Sequence, residues 1–377
     1  MNVVVIGAGV IGAAIADALA ARGVGVTVLE RRSPGRGASQ ASAGILAPFT
    51  EGHDKGPLLD LGRRSLDLFD DFLAGVRERS GMPVEYSRTG TLEVALDQAD
   101  AERLEPTRAW LDQADLPHEW VTGAALRDLE PAVSSSAVAG LFIPAHGFVA
   151  VEPLVRALVD GARLSGAVFE APVDVTAVED RGSSVTVHAG DRFYEADRVV
   201  LAAGSWTGNI RVRQAPRLAV RPIRGQLLYL HWSAEPRPSR VVWGTNCYVV
   251  PWSDGTVLVG ATVEDVGFDE SATVEGLAAM TAAATELLPG ADTATLEAVR
   301  VGLRPVMPDG LPAIGPLHER SNVVAATGHY RNGILLAPLT ARVVERLLVD
   351  GHRDGSLALT TPSRVMADLS DERRIGE

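Results

Sequence analysis

The chain has 377 residues, a length that allows two or three domains. Hydrophobic residues make up 46% and charged residues 22% of it, which excludes a disordered chain. The 48 acidic residues outnumber the 35 basic ones, and the net charge of −13 argues against partners such as nucleic acid or anionic membranes. Lys55 is the only lysine, so Schiff-base chemistry would have to use that residue.

Cysteine and histidine usage argues against disulfides and metal sites. Cys247 is the single cysteine, so neither an intrachain disulfide nor a thiolate cluster can form. The eight histidines show no HxH or HExxH pairing, and we expect no metal. The N-terminus lacks the basic segment of a signal peptide, and no run of about 20 uncharged apolar residues occurs. We therefore expect no membrane span and a cytoplasmic location.

The first residues of the chain form a dinucleotide-binding pattern. Residues 3–6 are an apolar, β-branched run, as expected of a buried parallel strand. Gly7, Gly9 and Gly12 follow at once and open an alanine-rich helix at 13–22. Gly7 suits the tight turn, Gly9 lets the backbone approach a pyrophosphate, and Gly12 lets helix and strand pack closely. The helix N-terminus then offers N–H groups and a positive dipole end to the phosphates.

The acid after the next strand narrows the choice of dinucleotide. Glu30 ends the strand at 26–29, where a carboxylate can accept hydrogen bonds from the ribose hydroxyls and disfavours the 2′-phosphate of NADP. This fingerprint does not separate FAD from NAD. The small residues of the loop at 31–50 allow close approach to a flat flavin, and the buried strand ending at Ala203 and Gly204 has the form of a turn that often closes FAD sites. Both features favour FAD.

The remaining elements predict an α/β protein with two interleaved domains. We expect helices at 58–76, 98–113, 151–164, 274–288 and 334–348. We expect strands near 86 and at 90–96, 173–178, 184–188, 197–202, 224–230, 240–243, 247–251, 257–263, 295–303 and 322–326. A linker with Pro117, Pro131 and Ser134 is expected before the helix at 151–164. The strand-rich region at 220–263 predicts a mostly antiparallel sheet.

Two motifs near the C-terminus carry a family resemblance. Residues 302–305 read Gly-Leu-Arg-Pro, and residues 328–338 read GHYRNGILLAP. Together with the segment at 43–48 and the N-terminal fingerprint, they make the chain similar to the glycine oxidase (ThiO-type) branch of the D-amino-acid oxidase family over nearly its whole length. The resemblance implies FAD-dependent oxidation of a small amino acid by oxygen. Glycine would yield glyoxylate, ammonia and hydrogen peroxide, a reaction that often serves thiamine thiazole synthesis.

The resemblance also implies the domain limits. We expect a Rossmann-like FAD-binding domain at 1–80, 150–210 and 305–377. A discontinuous substrate-binding domain at 81–149 and 211–304 would be built on the mostly antiparallel sheet.

Three residues match family positions that hold the substrate. Arg304 matches an arginine that binds the substrate carboxylate, a task suited to a planar fork of donors. Tyr248 matches a tyrosine whose hydroxyl helps to hold that carboxylate, although a packed strand tyrosine is the alternative interpretation without the resemblance. Arg331 matches an arginine near the substrate and the flavin. His329 is expected to be structural, and no general base is proposed because the flavin performs the chemistry.

The cofactor-binding residues follow from the fingerprint and the matched motifs. They are Gly7, Gly9, Val10, Ile11, Gly12, Glu30, Arg31, Ala38, Ser39, Ala43, Gly44, Ile45, Leu46, Val173, Ala203, Gly204, Trp206, Gly328, His329, Tyr330, Arg331, Asn332, Gly333, Ile334 and Leu335.

Two positions depart from the patterns of known relatives. Asn246 stands where the best-known relatives have histidine, which leaves the exact substrate open. Sarcosine-type relatives attach flavin through a cysteine near the C-terminal motif, whereas Cys247 lies in the tyrosine strand, so we expect non-covalent FAD.

The segments at 51–57 and 263–268 are candidate caps of the site. Relatives assemble as homo-oligomers, and the sequence leaves the assembly of this chain open.

Several functions remain alternatives at this point. The first is oxidation of sarcosine, D-alanine or D-proline by an oxidase, or by a dehydrogenase that passes electrons to a quinone. A second is a non-catalytic flavin-binding module, against which the presence of both Arg304 and Arg331 argues. A third is an NAD-dependent dehydrogenase, which would be colourless.

Overall fold

The computed structural model describes residues 1–51, 56–213 and 215–365. Within these ranges the strands are β1 (Asn2–Ile6), β2 (Gly25–Leu29), β3 (Ile45–Leu46), β4 (Tyr86–Ser87), β5 (Thr91–Ala95), β6 (Glu119–Thr122), β7 (Ala139–Ile143), β8 (Gly147–Val149), β9 (Val168–Glu170), β10 (Ala177–Asp180), β11 (Val185–Ala189), β12 (Arg192–Ala196), β13 (Arg198–Leu201), β14 (Arg211–Val212), β15 (Arg221–His231), β16 (Val241–Trp243), β17 (Tyr248–Pro251), β18 (Thr256–Gly260), β19 (Thr295–Val306), β20 (Ala313–Pro316) and β21 (Val323–Thr327). The α-helices are α1 (Val10–Ala21), α2 (Pro48–Glu51), α3 (Pro57–Asp67), α4 (Phe69–Ser80), α5 (Gln98–Gln113), α6 (Gly123–Leu129), α7 (Val151–Leu164), α8 (Val274–Leu287), α9 (Gly333–Asp350) and α10 (Leu357–Thr360).

A six-stranded sheet in the order β20-β21-β13-β1-β2-β9 forms the dinucleotide-binding half. Its strands are parallel except β20, which runs antiparallel to β21. Alternate residues of β1 enter different cores: Val3 and Val5 pack in the core with α1, α7 and α9, whereas Val4 and Ile6 pack toward the strands β10 and β11. Burial on both faces explains why the strand sequence is continuously apolar. The predicted α/β fold is confirmed.

An eight-stranded sheet in the order β19-β15-β18-β17-β16-β5-β7-β6 forms the second half. All neighbours are antiparallel except β16 and β5, which confirms the predicted mostly antiparallel sheet. The predicted linker was wrong, because β6, α6 and β7 lie within it. These elements are short, and β7 is ordered by pairing with β5, a contact between segments distant in sequence.

Two further element predictions were wrong. The apolar periodicity at 58–76 continues through two helices, α3 and α4, which meet at Leu68 and pack against the same core. The strand predicted at 173–178 is irregular until β10 begins. Pro172 precedes it and offers no N–H to a strand ladder, and the N–H of Val173 instead donates to the carbonyl of Glu30 at 2.8 Å.

Strands from both predicted domains also meet in one small sheet. It has the order β3-β8-β4, so β3 from the predicted FAD-binding domain pairs with β8 from the predicted substrate-binding domain. The domain limits themselves stay a prediction. No helix of the described ranges is both long enough and apolar enough to cross a membrane.

Candidate functional site

A cavity of about 690 Å³ lies where strands of the two large sheets end. Its wall includes residues that follow β1, β2 and β13 and, from the other side, residues of β17, β18 and β19. A crevice at the carboxyl ends of parallel strands is where open α/β sheets bind their ligands, and the volume is typical of ligand sites.

The glycine loop between β1 and α1 has the geometry of a phosphate cradle. Gly7 has a φ of +102°, a left-handed conformation that disfavours other residues, and its N–H donates to Leu29 O at 2.8 Å. A side chain at Gly12 would overlap the carbonyl oxygen of Gly7. The helix α1 begins after Gly9 with no side-chain cap, while the N–H of Val10 donates to Ser39 Oγ at 3.0 Å. The positive end of this helix therefore lies at the cavity wall.

Glu30 holds the two loops at this end of the sheet together. Its Oε2 accepts a hydrogen bond from the N–H of Ala8 at 2.7 Å, and its Oε1 accepts one from the N–H of Arg32 at 2.7 Å. Each carboxylate oxygen can accept a second hydrogen bond. The arrangement thus leaves acceptors for ribose hydroxyls, and together with the uncapped helix it fits a dinucleotide.

Aromatic and cationic side chains form another wall of the cavity. The guanidinium groups of Arg31 and Arg32 both lie over the ring of Trp206, with their Cζ atoms 4.8 and 5.0 Å from its centroid. The ring of Phe268 lies 5.9 Å from the same Trp206. Arg32 also forms an ion pair with Glu270, with Nη1 to Oε1 at 3.0 Å.

Phe268 and Glu270 belong to residues 261–273, here called the β18–α8 loop. Arg224 of β15 fixes this loop, because its buried guanidinium donates to Glu264 at 3.1 Å and to Asp269 at 2.6 Å. Of the candidate cap at 263–268, Val263 lines the cavity and Phe268 contacts Trp206. The other candidate cap, at 51–57, lies mostly outside the described residues, as does Lys55.

Arg304 is the candidate carboxylate ligand, and it lies on the cavity wall. Its Nη1 donates hydrogen bonds to the carbonyl oxygens of Thr262 at 3.0 Å and Arg224 at 3.3 Å. Within the described ranges no carboxylate forms an ion pair with Arg304, whereas neighbouring Arg224 has two acidic partners. The positive charge and the remaining donors of Arg304 are therefore available to an anionic ligand.

The other two predicted substrate residues share this wall. Tyr248 lies on β17, with its ring centroid 5.2 Å from that of Trp243. Arg331 is exposed immediately before α9, and its Cζ lies 5.4 Å from the ring centroid of Tyr330. The structure thus brings Arg304, Tyr248 and Arg331, from three separate segments, to one cavity.

Two titratable groups on the wall are kept neutral by burial. Burial lowers the pKa of His329 to about 3, and its Nε2 lies 3.0 Å from Oγ1 of Thr340, as expected of a structural histidine. Burial, with a smaller effect of the Glu286 charge, raises the pKa of Cys247 to about 12. Because a thiolate is the reactive form of cysteine, Cys247 is a poor nucleophile here. Among the residues that the structure describes, no cluster of metal-ligating side chains occurs.

Most of the predicted cofactor residues lie on the cavity wall. Those on it are Gly7, Gly9, Val10, Ile11, Glu30, Arg31, Ala38, Ser39, Ala43, Gly44, Ile45, Val173, Ala203, Gly204, Trp206, His329, Tyr330, Arg331, Gly333 and Ile334. Five others, which are Gly12, Leu46, Gly328, Asn332 and Leu335, lie behind the wall. Leu46, Asn332 and Leu335 are buried, and Gly328, with a φ of +78°, packs on Met307.

Several wall residues near Tyr248 were not predicted from the sequence. Trp243, Gly260 and Ala261 line the cavity because β16 and β18 are the neighbours of β17. Trp243 pairs directly with Tyr248, so only the strand register reveals it. Asn246, the departure noted above, is exposed at the cavity rim.

Comparisons with known proteins show the family of this chain. The family model described as "DAO: FAD dependent oxidoreductase" matches residues 2–347. Glycine oxidase of Geobacillus kaustophilus is 32% identical over 348 residues, which cover 92% of each chain. The bifunctional protein ThiO/ThiG of Nostoc is 33% identical over 361 residues, covering 95% of this chain and 54% of that protein. The crystal structure of the Geobacillus glycine oxidase superposes with a TM-score of 0.91 at 30% identity, covering 97% of this chain and 99% of that chain.

Proposed function

Because the chain belongs to the DAO family of FAD-dependent oxidoreductases, we propose that it oxidises glycine, or an amino acid of similar size, in this cavity. The overall reaction converts glycine, oxygen and water to glyoxylate, ammonia and hydrogen peroxide. When bound, FAD supplies the acceptor for the two electrons of the amine and the route by which they reach oxygen. The protein itself binds, orients and polarises the substrate.

The environment of Arg304 is the observation that supports a carboxylate substrate. Its guanidinium is held by two carbonyl oxygens, has no acidic partner in the described ranges and lines the cavity. A planar guanidinium can donate two parallel hydrogen bonds to a carboxylate, which fixes the orientation of the α-carbon as well as its position. The Tyr248 hydroxyl is the proposed second donor, and Asn246 at the rim is a candidate determinant of specificity.

The residues proposed to hold FAD divide by the part of the cofactor they suit. The N-terminus of α1 and the glycine loop suit the pyrophosphate, and Glu30 suits the adenosine ribose. Arg331 and the N-terminus of α9, which has no side-chain cap, suit the isoalloxazine, where they would stabilise negative charge on the reduced ring. The neutral, buried thiol of Cys247 supports non-covalent binding.

No wall residue is proposed as a general base. With a pKa of about 3, His329 is a weak base, and its Nε2 already lies against Thr340. The substrate amine must therefore be neutral when its α-hydrogen leaves with an electron pair. This supports deprotonation of the amine by solvent before the oxidation step.

The biological setting is also a proposal. The similarity to ThiO/ThiG proteins supports supply of the glycine-derived imine to the thiamine thiazole. We keep the cytoplasm as the proposed compartment and a homo-oligomer as the proposed assembly. Oxidation of sarcosine, D-alanine or D-proline is the closest alternative.

Anaerobic addition of glycine to the yellow holoprotein tests the proposal. We expect the flavin absorbance to bleach, and we expect peroxide to form when air is admitted. Bleaching by sarcosine, D-alanine or D-proline but not by glycine would assign the alternative substrate. No bleaching by any of these would favour a non-catalytic flavin module.

A further inference from the structure

The two proposed carboxylate ligands start far apart on one sheet. Arg304 lies on β19 and Tyr248 on β17, and the sheet order β19-β15-β18-β17 places two strands between them. Neighbouring strands are about 4.8 Å apart, so their backbones are separated by roughly 14 Å. Both side chains must therefore extend over the intervening strands to serve one small substrate.

Each of the intervening strands has a glycine beneath one of these side chains. A methyl group at Gly225 of β15 would overlap Cζ and both terminal nitrogens of Arg304. The guanidinium thus lies directly on the backbone of β15, where the carbonyls of Arg224 and Thr262 hold its Nη1. At Gly260 of β18, a methyl group would lie 2.5 and 2.6 Å from ring carbons Cζ and Cε2 of Tyr248.

A left-handed backbone does not explain the glycine at either position. Neither Gly225 nor Gly260 has a positive φ, so the conformation that favours glycine over other residues is absent at both. Glycine inside a strand weakens the sheet, because it has no side chain to pack and loses more conformational entropy on folding. A side chain at Gly225 would contact the guanidinium group of Arg304.

We propose that Gly225 is a positioning residue for carboxylate recognition, because its missing side chain lets the Arg304 guanidinium lie over β15 and point toward Tyr248. This inference rests on the proposed function in assigning the carboxylate to Arg304. Gly260 has the same relationship to Tyr248, so the two glycines form the floor over which both side chains converge.

The test compares Gly225→Ala with a matched control. The added methyl would displace the far end of a flexible side chain rather than backbone, so we expect the variant to fold and retain FAD. Gly355→Ala is the control, since Gly355 has no positive φ and a methyl group there would have no atom within 4 Å. We expect KM for glycine to rise at least tenfold in Gly225→Ala with a smaller change in kcat, and no change in Gly355→Ala.

A double-mutant cycle distinguishes positioning from a structural role. If Gly225 acts through Arg304, adding Gly225→Ala to the Arg304→Ala variant causes no further loss of kcat/KM. A full additional loss in the double variant, or an unchanged KM in Gly225→Ala, would overturn the proposal.

Titration with glycolate measures carboxylate binding without catalytic turnover. Glycolate presents a carboxylate of glycine's size without the amine, and its binding can be followed by the flavin spectrum. We expect its Kd to rise at least tenfold in Gly225→Ala. A wild-type protein that binds glycolate but does not oxidise glycine would contradict the proposed function while leaving this inference supported by the Kd change. Equal Kd values in wild type and variant, or no glycolate binding to either, would overturn the inference.

Discussion

The carbonyl oxygen of Thr262 accepts a hydrogen bond of 3.0 Å from Nη1 of Arg304. Thr262 also accepts, through Oγ1, the backbone N–H of Gln226 at 2.9 Å, so its own position is fixed by β15. Arg304 is therefore oriented by neutral backbone acceptors rather than by an acid. These neutral acceptors orient the guanidinium and leave its positive charge available for binding a substrate carboxylate.

Replacing Arg304 tests this arrangement directly. We expect Arg304→Ala to lower kcat/KM for glycine by about two to three decades or more, since leaving one partner of a desolvated ion pair alone costs roughly 3–5 kcal/mol, at about 1.4 kcal/mol per tenfold. Arg304→Lys should recover only part of the loss, because an ammonium lacks the planar fork. Steady-state kinetics at matched flavin content provide the measurement. A loss of less than tenfold in the alanine variant would contradict the assignment.

The activity should rise from neutral to mildly alkaline pH. Only the neutral amine can release hydride, and the pKa values of His329, about 3, and Cys247, about 12, keep both wall groups from titrating in this range. We expect kcat/KM to increase by up to ~tenfold per pH unit below the pKa of the substrate amine. Initial rates of peroxide formation between pH 6.5 and 9 test this, and a flat or falling profile would exclude the mechanism.

Acid precipitation tests the mode of flavin attachment. Burial keeps the Cys247 thiol protonated, so we expect all flavin to remain in the supernatant after precipitation with acid. Cys247→Ala should retain the flavin content and absorbance of the wild type before precipitation. Yellow colour in the washed pellet of the wild type, absent from the alanine variant, would show a covalent bond.

The stability should decrease in mild acid because of His146. Its Nε2 accepts the N–H of Phe49 at 3.2 Å, its Nδ1 lies 2.7 Å from Thr91 Oγ1, and burial, with a smaller effect of Arg88, lowers its pKa to about 3 from 6.5. Below pH 6.5 this histidine is protonated in the unfolded chain but stays neutral in the native state. Its contribution to the free energy of unfolding is therefore fully present above about pH 6.5 and is lost progressively toward pH 3.

Denaturant unfolding at pH 7 and pH 5 measures the effect. One such histidine should reduce the free energy of unfolding by about 2 kcal/mol at pH 5, and His146→Gln should make the dependence on pH shallower by that amount. His329, with the same direction of shift, remains in the variant and retains part of the pH dependence. An equal pH dependence in both proteins would refute the role of His146.

Phe268 should contribute to FAD retention through Trp206. The two rings lie 5.9 Å apart, and aromatic pairs contribute about 0.5–1.5 kcal/mol beyond burial. Phe268→Ala should therefore raise the Kd of FAD by roughly 2- to 13-fold, with little change in KM for glycine at saturating FAD. Reconstitution of apoprotein, followed by flavin fluorescence, measures this. The exposed Val274 offers a control, as Val274→Ala should leave the Kd unchanged.

Sequence patterns predicted the fold best where they are local. The helices α5 and α7 begin and end at the predicted residues, since an Asp97 cap precedes one and Pro153 lies in the first turn of the other. The family inferred from the glycine loop and the GHYRNGILLAP stretch is confirmed by the comparisons. Contacts between distant segments were not predictable in this way. The pairing of β7 with β5 and the contact of Phe268 with Trp206 depend on sheet order and loop path, which no short window of sequence contains.

The β18–α8 loop has a consequence for engineering this chain. Thr262 in its first residues orients Arg304, Glu264 fixes the loop to β15, and Phe268 near its middle contacts Trp206. A designer who exchanges the loop to admit bulkier amines also changes the support of the dinucleotide wall. Libraries aimed at new substrates should therefore be screened at several flavin concentrations, so that variants with a suitable pocket are not discarded for weak loading.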